Sequence, residues 1–211
     1  MESKQTARLP RQQGGESKPM EFNNLSTVRF QQKMKPAALR IYQAVFPGCE
    51  LEDLREDGVR VHILDREFGI DSLINLPSQQ WISLQEKYRK HDALKYLDFT
   101  QEYMNGVGTE HESPGEWFKL GAQLYFYGWA NAEETAFTKW FLMDIAKYKM
   151  LVEEKGGLSQ LGVLQHNRRH GRASFYAIPA TKLMPCFVTD YRYVSIDSAA
   201  PSSRPQPQTG K

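Results

Sequence analysis

Hydrophobic positions recur at two different spacings along the chain, and these predict both helices and strands. Over 34–46 (MKPAALRIYQAVF), apolar residues recur every three or four positions from Ala38 to Val45. Pro36 stands near the start of this segment and Gly48 follows its end, so a helix is predicted here. Two further helices are predicted over 146–154 and 180–184.

Short segments rich in aromatic and β-branched residues predict strands between these helices. They lie at 59–64, 69–76, 81–89, 97–103, 123–129, 140–145 and 174–178. Because a helix precedes a strand-rich middle that mixed elements follow, we predict an α/β fold. It is expected to be a single domain with a central mixed sheet flanked by helices.

The two ends of the chain differ from the middle in composition. Residues 1–26 are rich in Gln, Gly, Ser, Lys and Arg, and residues 197–211 are rich in Pro and Ser. Such segments cannot bury enough apolar surface to offset the entropy of ordering, so both are expected to be disordered tails. The folded domain is then predicted to span 27–196.

Composition and net charge argue against several classes of function. The net charge is only +2 over 211 residues, so any nucleic-acid-binding surface must be a local basic cluster. The chain has no apolar run of about 20 residues, which a membrane span would require. Cys49 and Cys186 stand alone, which argues against a zinc site or a disulfide framework. We therefore expect a cytoplasmic protein without membrane contact.

The segment 81–89 sorts its side chains onto two faces because a strand alternates with period two. One face is expected to carry Ser83, Gln85, Lys87 and Arg89, and the other Ile82, Leu84, Glu86 and Tyr88. The preceding strand, 69–76, contains Asp71 and is joined to 81–89 by a short loop. An antiparallel hairpin would therefore bring Asp71 towards the face of Gln85 and Lys87.

This residue set is the kind that phosphodiester hydrolysis requires. A hard cation must polarise the phosphate and lower the pKa of a bound water, and a cationic side chain must stand near the developing charge. Asp71, Gln85 and a backbone carbonyl could supply oxygen ligands to such a cation, and Lys87 the positive charge.

The run from Gly69-Ile-Asp71 to Gln85-Glu-Lys87 resembles the core motif of PD-(D/E)XK nucleases, in the Asp…Gln-x-Lys form of Mrr-type restriction endonucleases. The resemblance covers about residues 36–90. It implies a restriction-endonuclease-like fold and hydrolysis of DNA with Mg²⁺ or Mn²⁺. It implies that Asp71, Gln85 and the Glu86 backbone carbonyl bind the metal, and that Lys87 is the catalytic lysine. The size and the family suggest a phage or other mobile-element setting.

The resemblance also suggests accessory residues. Many members carry an acid on the first helix, but 34–46 has none, so Gln43 is the nearest polar candidate and Glu52 follows it. Gln123 and Tyr127 resemble the Q-x-x-x-Y element of RecB-type members. Aromatic residues at this density are also typical of a core.

Basic residues supply candidate DNA contacts. Arg89 and Lys90 extend the basic character of the site, and the run 167–172 (NRRHGR) contains Arg168, Arg169 and Arg172. This run suits a phosphate-contacting loop, although a solvated loop has the same composition. A homodimer is compatible with the resemblance.

Two alternatives come from other function classes. Gln85 in place of a carboxylate removes one negative charge from the metal site, so the protein could be a catalytically weak or inactive nucleic-acid-binding module of the same fold. It could also be a structural or interaction protein whose aromatic-rich sheet packs against a partner.

Overall fold

The computed structural model describes residues 26–54, 58–167 and 172–194, which form a mixed α/β domain. The predicted tails fall outside these residues, apart from Ser26. The helices are α1 (Ser26–Val45), α2 (Gly58–Phe68), α3 (Glu116–Lys119), α4 (Ile145–Glu154) and α5 (Leu158–Leu161), with 3-10 turns at His91–Lys95 and Ala180–Cys186. The strands are β1 (Glu50–Asp53), β2 (Ser72–Asn75), β3 (Trp81–Arg89), β4 (Asp98–Asn105), β5 (Ser113–Pro114), β6 (Leu124–Ala130), β7 (Phe137–Asp144), β8 (Val163–His166), β9 (Ser174–Pro179) and β10 (Phe187–Asp190).

A six-stranded sheet in the order β1-β2-β3-β6-β7-β10 forms the centre of the domain. All its neighbouring strands are antiparallel except β3 and β6, which are parallel. The prediction of a central mixed sheet flanked by helices is therefore confirmed. A second, antiparallel sheet in the order β5-β4-β9-β8 was not predicted.

Strand β6 is buried on both faces, as expected for the strand in the parallel pairing. Tyr125, Tyr127 and Trp129 pack into a core that also contains Phe99 of β4, between the two sheets. Phe126 points the other way, into the core beneath α1. The central sheet is thus covered by the second sheet and α4 on one face and by α1 on the other.

Helix α1 begins eight residues before the predicted start at position 34. The apolar period continues upstream through Met34 and Phe30, and both side chains are buried against the central sheet. Pro36 consequently lies inside the helix and not in its first turn. Burial of the extended apolar face favours helix over a break at proline. Within the described residues, no helix combines the length and the apolar character needed to cross a membrane.

The strand predicted at 59–64 is wrong, because this segment belongs to helix α2. Gly69 ends the helix in the left-handed region, with φ +55°. Its amide donates to the Asp65 carbonyl (3.0 Å) and the Ile70 amide to the Leu64 carbonyl (3.2 Å). This is a glycine helix stop. Strand β2 therefore begins at Ser72 and not at position 69.

The other predicted strands and helices match observed elements within a few residues, and β3 has the predicted bounds. Apart from α2, the elements that the sequence did not predict are each two to five residues long: β1, β5, β8, β10, α3, α5 and the 3-10 turn His91–Lys95.

Candidate functional site

Strand β3 separates its polar side chains between the two cores. Glu86 points to the α1 side, whereas Lys87 points to the second sheet and contacts Thr100 of β4. Gln85 is buried, with 8% of its surface exposed. The alternation expected from the sequence is therefore present, with Glu86 facing away from Lys87.

Asp71 lies in the link between α2 and β2, directly beside β3. Its amide donates to the Leu84 carbonyl (2.9 Å), and its Oδ2 accepts from the Glu86 amide (2.7 Å). The N–H and C=O of one strand residue leave the backbone on the same side, so the Glu86 carbonyl also faces the side of Asp71. The carboxylate is thereby fixed against the backbone between Gln85 and Lys87.

The side-chain amide of Gln85 is held in the same corner. Its Oε1 is buried and has no hydrogen-bond partner among the described residues. It lies against Gly69, where an added Cβ would stand 3.4 Å from this oxygen. A buried polar atom without a partner is costly in a folded protein and suggests a missing ligand or water.

Lys87 extends from β3 towards β4 and α3. Its Nζ donates to the Thr100 carbonyl (3.0 Å) and lies 3.6 Å from Glu116 Oε2. About a quarter of the Lys87 side chain remains exposed. The ammonium group is therefore both fixed and reachable from solvent.

Glu116, which the sequence pattern did not indicate, lies beside Lys87. It is the first residue of α3 and is buried, with 8% of its surface exposed. Its Oε1 accepts from Gln101 Nε2 (3.2 Å). A lone acid in the apolar segment 116–118 (EWF) was the available signal, but nothing in the sequence placed it beside Lys87.

Two buried tyrosines on β6 show how charge is distributed across the site. Burial raises the pKa of Tyr125, and the carboxylates of Glu116 and Asp71 raise it further. Burial also raises the pKa of Tyr127, but the positive charges of Arg89 and Lys87 oppose that shift. The site therefore has a negative end near Tyr125 and a positive end near Tyr127.

Glu86 belongs to a separate buried network on the α1 face. Its Oε1 accepts from the hydroxyls of Tyr42 (2.6 Å) and Tyr88. Its Oε2 accepts from Ser72 Oγ (2.8 Å) and contacts the Lys35 ammonium. These contacts join α1, which carries Tyr42 and Lys35, to the central sheet. The Glu86 carboxylate therefore stabilises the fold and does not face the Lys87 site.

The accessory candidates do not join Asp71 and Lys87. Gln43 is exposed on α1, and Glu52 is exposed on edge strand β1. Gln123 Oε1 accepts from the Ser83 amide (2.9 Å), and this hydrogen bond joins the residue before β6 to β3. The Tyr127 hydroxyl is 3.1 Å from Thr100 Oγ1 and its ring packs in the core.

The predicted DNA-contacting residues lie in two places. Arg89 NH1 donates to Thr100 Oγ1 (3.0 Å), on the same side as Lys87, and the exposed Lys90 follows it. Arg172 is exposed, and its carbonyl accepts from the Val107 amide (2.8 Å). Arg168 and Arg169 lie outside the described residues.

The oxygen atoms around Asp71 can be compared with the ligands that a divalent cation requires. Among the described residues, no group of three or more His, Cys, Asp and Glu side chains is arranged to hold a metal ion. Mg²⁺, however, is commonly bound by one or two carboxylates together with waters and substrate phosphates. The Asp71 carboxylate and the unpaired Gln85 oxygen are donors of this type, so their chemistry fits Mg²⁺.

Comparisons of the chain with protein-family models, with curated proteins and with solved structures found no match.

Proposed function

We propose that the protein is a metal-dependent endonuclease-like enzyme that hydrolyses phosphodiester bonds in DNA. The observation that carries the proposal is the grouping of Asp71, the unpaired Gln85 amide oxygen and the fixed Lys87 ammonium at one corner of the sheet. These are the residues of the Asp…Gln-x-Lys motif.

Each residue has a distinct part in the proposed reaction. Asp71 and Gln85, with the Glu86 carbonyl, present oxygens to Mg²⁺ or Mn²⁺. When bound, such an ion would polarise the phosphate and lower the pKa of the attacking water. Lys87 stabilises negative charge that develops on the phosphate, and its bond to the Thr100 carbonyl orients it.

Glu116 pairs with the proposed catalytic lysine. A carboxylate at position 85 would have brought a second negative charge to the proposed metal site, whereas Glu116 Oε2, from α3, lies 3.6 Å from Lys87 Nζ. The negative charges of Glu116 and Asp71 both raise the pKa of Tyr125. We propose that Glu116 holds the Lys87 ammonium in position in the absence of substrate.

The order of elements supports the same proposal. The resemblance implies a helix followed by three strands, and α1 is followed by β1, β2 and β3 as an antiparallel meander, with α2 inserted between β1 and β2. The insertion leaves Asp71 directly before β2, beside the Gln-x-Lys segment.

The proposal also includes DNA as the substrate, a cytoplasmic location and a homodimeric state. Cys49 and Cys186 are both buried and free, which fits a reducing compartment. The size of the chain and the motif are compatible with a phage or mobile-element protein.

Incubation of supercoiled plasmid with the protein and Mg²⁺ or Mn²⁺ tests the activity. We expect nicked or linear DNA, which EDTA should abolish. Lys87→Ala and Asp71→Asn should each reduce the rate at least about 100-fold, since each removes one charge that acts in the transition state. Lys119→Ala is the matched control, because Lys119 bonds the Asp65 carbonyl and not the Lys87 site.

Cleavage that persists in EDTA and in both site variants would show that the activity is not from this site. Absence of cleavage together with salt-sensitive DNA binding would favour the inactive binding module. Absence of both would favour an interaction protein. Unfolding midpoints of the variants separate a lost site from a lost fold.

A further inference from the structure

A groove lies beside Lys87 at the end of β3, where the first turns of α1 meet the 3-10 turn at His91–Lys95. Its volume is about 470 Å³, within the range of ligand-binding clefts. The lining residues that bear on its chemistry are Phe30, Lys87, Arg89, Lys90, Lys95 and Tyr96. Because Lys87 lines it, the groove is continuous with the candidate site.

The groove is strongly positive although the whole chain is nearly neutral. Four basic side chains line it, and of the described lining residues only Asp92 is acidic. The excess among the described lining residues is therefore three positive charges, although one of the four cations, Lys87, pairs with Glu116 outside the groove. A surface of this kind attracts a phosphodiester backbone.

Aromatic rings accompany these cations. Lys90 Nζ lies 5.5 Å from the centre of the Phe30 ring, and Lys95 Nζ lies 4.9 Å from the centre of the Tyr96 ring. Phe30 is buried, whereas 64% of the Tyr96 surface is exposed. Leu97 adopts a left-handed backbone, φ +48°, immediately after Tyr96. Such strain in a residue with a Cβ is retained only where the surroundings impose it.

We infer that this groove binds an unpaired, single-stranded stretch of DNA, with a base stacked on Tyr96 and phosphates contacted by Lys90 and Lys95. The inference rests on the proposed function in that the strand would lead to the scissile phosphate at Lys87. It specifies the substrate class: DNA with a single-stranded end, flap or gap next to the cleavage position.

The pairing of cations with an exposed aromatic face favours a single strand over a duplex. In a duplex the base faces are already stacked on one another, so Tyr96 would have no base to contact. An unpaired strand exposes both phosphates and base faces, and proteins that bind single strands combine a positive groove with aromatic stacking.

Binding is measured without cleavage by the fluorescence anisotropy of a labelled oligothymidylate in EDTA, beside a hairpin duplex of equal nucleotide number. We expect the single strand to bind more tightly. Tyr96→Ala should weaken its binding about ten-fold without changing the salt dependence. Lys90→Ala and Lys95→Ala should each lower the slope of log affinity against log salt by about 0.7.

Matched controls come from exposed residues away from the groove. Tyr193→Ala removes a tyrosine of similar exposure (76%), and Lys149→Ala removes an exposed lysine on α4. Neither should change single-strand binding. Unfolding midpoints of all variants confirm that the fold is kept.

Equal or tighter binding of the duplex, or unchanged binding by Tyr96→Ala, would overturn the inference. The two proposals fail separately. Cleavage of a flapped or gapped duplex that requires Lys87 but ignores Tyr96, Lys90 and Lys95 would refute the groove and keep the nuclease. Single-strand binding that follows the expected pattern, without cleavage of any DNA, would refute the nuclease and keep the groove.

Discussion

At the scale of single residues, Lys35 joins α1 to the sheet through one ammonium group. Its Nζ is 3.0 Å from Asp53 Oδ2, 2.8 Å from Ser72 Oγ and in contact with Glu86. Only 1% of the Glu86 side chain is exposed, so this carboxylate depends on Lys35 for a compensating charge. Removing one member of a buried ion pair leaves the other charge desolvated and uncompensated.

We therefore expect Lys35→Ala to lower the free energy of unfolding by about 3–5 kcal/mol. Urea denaturation followed by circular dichroism measures the change. Lys33→Ala is the control on the same helix, because Lys33 pairs with Glu134 (3.1 Å) with half of its side chain exposed. Exposed pairs contribute about 1 kcal/mol or less. Similar losses from both variants would mean that the buried network does not stabilise the fold.

At the scale of elements, the link between α2 and β2 determines where Asp71 lies. Gly69 ends α2 with φ +55°, and the chain then turns to place Asp71 beside β3. A Cβ on Gly69 would also stand 3.3 Å from the Lys119 carbonyl and 3.4 Å from Gln85 Oε1. Both the backbone conformation and the space around it favour glycine.

Gly69→Ala should accordingly lower the free energy of unfolding by more than the roughly 1–2 kcal/mol that a left-handed alanine costs. Gly108→Ala isolates that backbone cost, since Gly108 has φ +73° with nothing within 4 Å of an added Cβ. Thermal unfolding of the two variants gives the difference. Equal losses would show that the crowding around Gly69 is relieved without cost.

The same link shows what the sequence could and could not predict. Alternation in 81–89 predicted β3 and the separation of Glu86 from Lys87, because a strand with two different faces has a regular period. The valines and isoleucine of 59–64 alternate in the same way, yet this segment is helical, and the stop at Gly69 was the overlooked signal. Local pattern cannot decide between two periods over six residues.

One residue of the candidate site, Glu116, is positioned by tertiary contacts and could not be predicted from the local sequence pattern. Glu116 is 29 positions after Lys87 in the chain and reaches it from a four-residue helix. So short an element has no measurable period, and its position depends on how β4 and β5 pack. Gln101, buried within β4, is brought to Glu116 in the same way.

At the scale of the whole molecule, buried tyrosines in both cores make the free energy of unfolding depend on pH. Tyr42 is on the buried face of α1, and Tyr125, Tyr127 and Tyr148 lie in the core on the other face of the central sheet. Burial is the largest cause that raises the pKa of each of the four. In the unfolded chain their pKa returns to about 10.

These shifts predict that stability falls in alkaline solution. Below pH 10 the four phenols are protonated in both states and contribute no pH dependence. Above pH 10 the unfolded chain releases their protons while the folded protein retains them, so the free energy of unfolding decreases as the pH rises. Each tyrosine contributes a slope of up to about 1.4 kcal/mol per pH unit. Urea denaturation from neutral pH to about one unit above 10 measures the decline.

Tyr125→Phe provides the sharpest check of this linkage. The substitution removes the titrating hydroxyl, which is buried beside the Glu116 carboxylate, and keeps the ring in the core. At neutral pH the free energy of unfolding of the variant should lie within about 1.5 kcal/mol of that of the parent protein, the contribution of one hydrogen bond. Above pH 10 its stability should decline less steeply, by about 1.4 kcal/mol per pH unit. Parallel curves for the two proteins would mean that Tyr125 ionises as readily in the folded state as in the unfolded chain, which would contradict its burial between Asp71 and Glu116.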